Sequence, residues 1–144
     1  SCKIEEKRRY LKKLSGPLLD RIDLRIQVNQ LSEKELLNAP DGEDSFTIRQ
    51  RVIAARNIQL DRYREFGIFS NSQMTPKAMQ KFCCLNRSGE IMLKEAINRF
   101  KLSPRAYSRI LKVARTIADL ANSPVIEEQH LFESINYRKA DLDI

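Results

Sequence analysis

One heptapeptide in the chain alternates strictly between apolar and polar side chains: Ile22-Asp23-Leu24-Arg25-Ile26-Gln27-Val28. That is the two-residue period of a half-buried β-strand, and no second good strand accompanies it. A lone strand leaves its backbone donors and acceptors unpaired and is not stable by itself. Its sheet partners are therefore expected upstream of Ser1, in a longer protein from which this chain was cut. Within the present chain the segment is expected to be disordered, displaced, or paired with another copy. What remains must fold almost entirely as helix, so the predicted class is mainly α with one strand left over from an upstream α/β core.

Helical periodicity and punctuation divide the rest. Residues 3–14 read as the end of a helix, with Ile4, Leu11 and Leu14 on one side and Lys7, Arg8, Lys12 and Lys13 on the other. Ser15-Gly16-Pro17 stops it. Ser32-Glu-Lys-Glu35 is a capping box opening a short helix to about Asn38. The turn-rich run Pro40 to Ser45 marks a boundary between residues 1–40, ending the α/β core, and residues 41–144, a helical domain.

Further helices are predicted beyond the break, each from a recognisable start. The first runs from about Ser45 to Phe66, with Ile48, Val52, Ala55, Tyr63 and Phe66 inward and Arg49, Arg51, Arg56 and Arg62 outward, and Gly67 ends it. Thr75-Pro76 and Ser103-Pro104 each pair a capping oxygen with a proline at the first helical position, where the missing amide costs nothing. Ser88 opens a helix through Ile91, Leu93, Ile97 and Phe100, and Glu127 one through Leu131, Phe132 and Ile135. After Ser103, a stripe of Tyr107, Ile110, Leu111, Ala114, Ile117, Ala118 and Ala121 recurs at helical period and reads as core.

Several kinds of chemistry are disfavoured. The four glycines are scattered, and none sits in a phosphate-cradling or dinucleotide-binding loop. A serine-histidine-aspartate triad would have to use the single His130, and no serine stands in a nucleophile elbow. Zinc needs about four tetrahedral ligands. Cys2, Cys83, Cys84 and His130 do not provide such a set, so no metal site is expected and the thiols should be reduced. No apolar run is long enough for a membrane span, which predicts a cytoplasmic protein without membrane contact. The net charge of +7 favours phosphate-bearing partners without naming one.

Arginines in special contexts are what is left. Arg21 is held between the Gly-Pro stop and the strand, a placement that suits an arginine finger, although an ion pair with Asp20 or Asp23 is the commoner use of such an arginine. Arg105, Arg109, Lys112 and Arg115 recur on one side of their helix, opposite the apolar stripe. Arg105 lies in the first turn, where free amides and the helix dipole already attract anions, so it could sense a phosphate. The same four cations could form a nucleic-acid-binding face, or merely a solvated one.

Two segments, Arg9 to Leu24 (RYLKKLSGPLLDRIDL) and Leu102 to Leu120 (LSPRAYSRILKVARTIADL), resemble the magnesium-chelatase-like AAA+ ATPases of the ComM/YifB type, as does the closing Glu128 to Arg138. The resemblance implies that Arg21 is an arginine finger acting in trans on a neighbouring subunit's ATP, because Leu-Leu-Asp-Arg-Ile-Asp is similar to the corresponding element of MCM helicases and chelatases. It makes Arg105 the sensor-2 residue at the nucleotide's terminal phosphate, and residues 41–144 the helical lid. It also implies a hexameric ring, ATP and Mg²⁺ bound by elements upstream of Ser1, no cofactor on this part alone, and DNA as the translocated substrate. An ATPase motor of a metal chelatase and a free-standing basic nucleic-acid-binding module are the alternatives. Pro104 and Ser108 depart from the expected sensor-2 pattern, and Cys2 is what is left of a cysteine-rich segment.

Overall fold

The computed structural model describes residues 21–28 and 42–139. The basic helix of residues 3–14, the capping box at 32–35 with its helix, Cys2, and Asp20 lie outside the described residues. Among the described residues five helices follow in order: α1 (Ser45–Arg62), α2 (Pro76–Phe82), α3 (Arg87–Phe100), α4 (Pro104–Leu120) and α5 (Glu128–Lys139), with a 3₁₀ turn at Asn71–Gln73.

Each N-terminus is satisfied by a side chain at the position that local chemistry demands. The carboxylate of Asp44 accepts from the Thr47 amide at 2.7 Å, and that bond holds its pKa below the ordinary carboxylate value. Thr75 and Ser103 accept from Ala78 and Ala106 at 3.3 and 3.2 Å, as their Thr-Pro and Ser-Pro signatures predict. The opening of α3 needs correction, because Asn86, not Ser88, is its cap and accepts from the Gly89 amide at 2.7 Å. A Cβ on Gly89 would stand 3.2 Å from that carboxamide oxygen, so the third helical position suits a residue without a side chain. At the start of α5, buried His130 turns its Nδ1 back to accept from the Glu127 amide at 3.1 Å. The only histidine is thus a helix-start device, in the manner of a capping box.

The core is built around α4, which packs against α5, α1, the 3₁₀ turn and α2, while α3 packs on α5. Ala106, Ile110, Leu111, Ala114 and Ala118 are buried along it, and the three alanines let neighbouring helices approach closely. Tyr63, Met74, Ala78, Leu93, Ile126, Leu131 and Ile135 close around them. Phe82 stacks edge to face on Tyr63 and Phe66, with ring centroids 5.5 and 5.3 Å apart.

Elsewhere the apolar pattern exceeds what is covered. Ile48 and Val52, expected inward, are exposed, because every residue from 42 to 54 is exposed and no described element lies over that end of α1. Helix α1 also ends at Arg62 instead of Phe66, and the chain then turns through Gly67, whose φ of 63° is one that glycine adopts without strain. Phe132, Ile91 and Tyr107 are exposed too.

Among the described residues there is no strand. Residues 21–28 run as an irregular segment over the end of the bundle, with the Arg25 amide donating to the Tyr137 carbonyl at 3.0 Å. Without a neighbouring strand the alternating apolar side chains gain nothing from the pleat, and all four are exposed, up to 87% at Val28. The segment lies against the helical bundle through the bond from Arg25 to Tyr137.

Candidate functional site

The segment 21–28 and the flank of α4 enclose a half-open cavity of about 750 Å³. Leu24, Ile26, Val113, Ile117 and Leu120 form its apolar wall, and Arg105, Arg109 and Lys112 line it with positive charge. Arg105 is exposed in the first turn of α4 and has no hydrogen-bond or ion-pair partner among the described residues. Lys112 donates to the Ser72 carbonyl at 2.9 Å, tying α4 to the 3₁₀ turn. Arg109 donates to the Arg21 carbonyl at 2.9 Å and pairs with the Asp23 carboxylate.

Arg21 itself is exposed. The Asp23 carboxylate, one of two partners the sequence offers it, is taken by Arg109. Its backbone is held while its side chain is left outward. Among the sequence-nominated residues, Arg21, Arg105, Arg109 and Lys112 are therefore gathered around one cavity or at its edge.

Arg115 is not among them, and its expected place on a solvent-facing basic side is corrected. It is 2% exposed, its Nε 3.1 Å from Asp119, and its two terminal nitrogens donate to the carbonyls of Pro124 and Ser123 at 3.0 and 2.6 Å. The signal was present in the spacing. At about 100° per residue, Arg115 falls about 40° from Leu111 and about 80° from Arg105, on the edge of the apolar stripe.

Asp119 is the centre of a buried polar network that the sequence reading missed. Arg62, expected outward, turns in and pairs with it. Asn71 donates to Asp119 and Thr116 at 2.8 and 2.9 Å and accepts from the Tyr63 hydroxyl at 2.6 Å, while its amide donates to Gln59 at 3.1 Å. Desolvation acts to lower both arginine pKa values. At Arg115 it prevails over the attraction of Asp119, whereas at Arg62 the bond and charge of Asp119 raise the pKa despite it. Both guanidiniums stay charged at neutral pH. The i,i+4 spacing of Arg115 and Asp119 was the one available hint of the network.

No group of three or more His, Cys, Asp or Glu side chains among the described residues could hold a metal ion, and no helix among them is long and apolar enough to cross a membrane. Cys83 is buried beside Met74 and desolvation pushes its thiol up to about 11, while Cys84 is exposed.

Comparison with known proteins adds to this geometry. The family model described as magnesium chelatase, subunit ChlI C-terminal, matches residues 42–138, and the one described as magnesium chelatase, subunit ChlI, matches residues 1–36. Competence protein ComM of Haemophilus influenzae is 44% identical over 131 residues, 90% of this chain and 25% of that protein. The uncharacterized protein YifB of Escherichia coli K12 is 39% identical over 142 residues, 97% of this chain and 27% of that protein. The uncharacterized protein Rv2897c of Mycobacterium tuberculosis is 40% identical over 129 residues, 88% of this chain and 25% of its own length. The chain thus spans about a quarter of the curated relatives it matches.

Proposed function

This chain belongs to the magnesium chelatase subunit ChlI C-terminal family, and on that premise we propose that it is the lid and finger portion of a ring-forming ATPase that moves DNA. The observation that carries the proposal is the placement of Arg105: exposed, unpartnered among the described residues, in the first turn of α4 and facing a cavity beside the loop of Arg21. A guanidinium so placed fits the terminal phosphate of a nucleotide, since it is permanently charged and its donors form a planar fork.

ATP would supply the phosphoryl group and Mg²⁺ the neutralising charge, both bound by parts of the protein outside this chain. Within the chain, Arg105 would hold the terminal phosphate, and Arg21 would neutralise charge on the phosphoryl group of a neighbouring subunit's nucleotide. DNA as the substrate is supported by the net charge of +7 and by the relative named for competence. A metal chelatase motor uses the same residues and differs only in what is moved. A free-standing nucleic-acid module loses ground, because Arg115 is buried and Arg109 is engaged with Asp23.

The test is the ATPase rate of the full-length protein with and without DNA, wild type against Arg21→Ala. A DNA-stimulated rate that falls by about 10³ or more in the variant is the expected outcome. A rate indifferent to the substitution removes Arg21 from the active site. A rate indifferent to DNA, but lost with Arg21, turns the reading towards the chelatase-type motor.

A further inference from the structure

We propose that Arg109 is a positioning residue for Arg21, binding the finger loop to the same helix that presents Arg105. The proposal rests on the reading of Arg21 as an arginine finger. Of the α4 cations gathered at the cavity, Lys112 is occupied with Ser72 and Arg105 has no partner among the described residues, whereas Arg109 reaches the segment 21–23. It holds that segment twice, through the Arg21 carbonyl at 2.9 Å and through the Asp23 carboxylate.

A second helix completes the hold. A terminal nitrogen of Arg138, on α5, donates to the carbonyl of Ile22, and the Arg25 amide donates to the Tyr137 carbonyl at 3.0 Å. The carbonyls of two consecutive residues, 21 and 22, are therefore gripped by guanidiniums from two different helices. The backbone at Arg21 is held by the bundle while its own side chain is exposed.

Stability does not explain this arrangement. The side chains of Arg109 and Asp23 are 28% and 51% exposed, and pairs as open as that contribute little to folding. Geometry does explain it, because misplacing a catalytic group by about 1 Å can cost about 10² in rate. Arg105 and Arg109 also lie one turn apart on α4, so a shift of that turn on nucleotide contact would carry residue 21 with it.

The experiment is steady-state ATPase of the full-length protein. Arg109→Ala should lower kcat by about 10- to 100-fold while leaving the KM for ATP within about twofold. Arg109→Lys should recover part of the loss, since an ammonium can still reach one of the two acceptors. Asp23→Ala, made from the loop side, should lower kcat in the same direction and carries the test if Arg109→Ala fails to fold. In an Arg21→Lys background, where the finger is already displaced, adding Arg109→Ala should cost less than about threefold, the non-additivity expected of residues acting through one group. A wild-type kcat in Arg109→Ala, or an undiminished loss in the Arg21→Lys background, overturns the proposal. Failure of the finger reading itself shows separately, as full activity in Arg21→Ala.

Discussion

Arg105 and Arg115 stand ten residues apart on one helix and carry the same guanidinium, yet they live in opposite surroundings. Arg105 faces the cavity with no partner among the described residues, while Arg115 is sealed between Asp119 and the carbonyls of Ser123 and Pro124. What separates them is what each finds within reach. A buried arginine persists only where a carboxylate and carbonyls replace its water, so its role is consumed by the fold. An exposed arginine held by a rigid helix keeps its donors available for a ligand. The difference teaches that charge periodicity on a helix gives no functional face until the partners of each cation are known.

The contrast can be broken most forcefully at its buried end. Asp119→Ala would leave Arg62 and Arg115 facing each other without their shared carboxylate, at a cost of about 3 to 5 kcal/mol, measured by denaturant unfolding. A loss under about 1 kcal/mol would show that the network is solvated and that the two arginines are less different than described. Next in size is the alkaline limit set by Cys83. Its folded pKa is raised to about 11 from an ordinary 9.0, so the stabilising effect of the buried neutral thiol is present below about pH 9 and lost as pH rises towards 11. The shift corresponds to about 2 to 3 kcal/mol. Urea titrations across that window should show a loss that is smaller in Cys83→Ala than in wild type, the remainder belonging to Tyr63, whose hydroxyl is also pushed up by burial, and at neutral pH a thiol reagent should label Cys84 while sparing Cys83.

The smallest expected effect on folding sharpens the exposed end. Arg105→Ala should alter unfolding free energy by less than about 0.5 kcal/mol, yet raise the KM for ATP of the full-length protein several-fold. Equal damage to stability and to KM would mean that Arg105 is structural after all.

The sequence revealed local devices better than it revealed coverage. Thr75-Pro76 and Ser103-Pro104 fixed two helix starts because each depends on neighbouring residues alone. Asn86 was overlooked for Ser88 because both types cap helices and lie two residues apart. The apolar face of α1 was legible, but periodicity shows which side is apolar and not whether anything lies over it, and so Ile48 and Val52 were misplaced. The alternation at 22–28 was legible too, yet a strand is a property of a pair, and no partner strand stands among the described residues. At the site, Arg21 and Arg105 were nominated from context and likeness. The grip of Arg109 on the loop was not, because residues separated by 86 positions meet only after folding.

Asn71 carries one more consequence, for which side chains its position can accept. Its carboxamide accepts from Tyr63 on one side and donates to Asp119 and Thr116 on the other. An aspartate in its place would set a new carboxylate against Asp119 and remove both donors at once, with the Arg62 guanidinium, 3.3 Å from the carboxamide oxygen, left to offset the charge. The contact between the 3₁₀ turn and α4 would then be weakened by like-charge repulsion among buried groups.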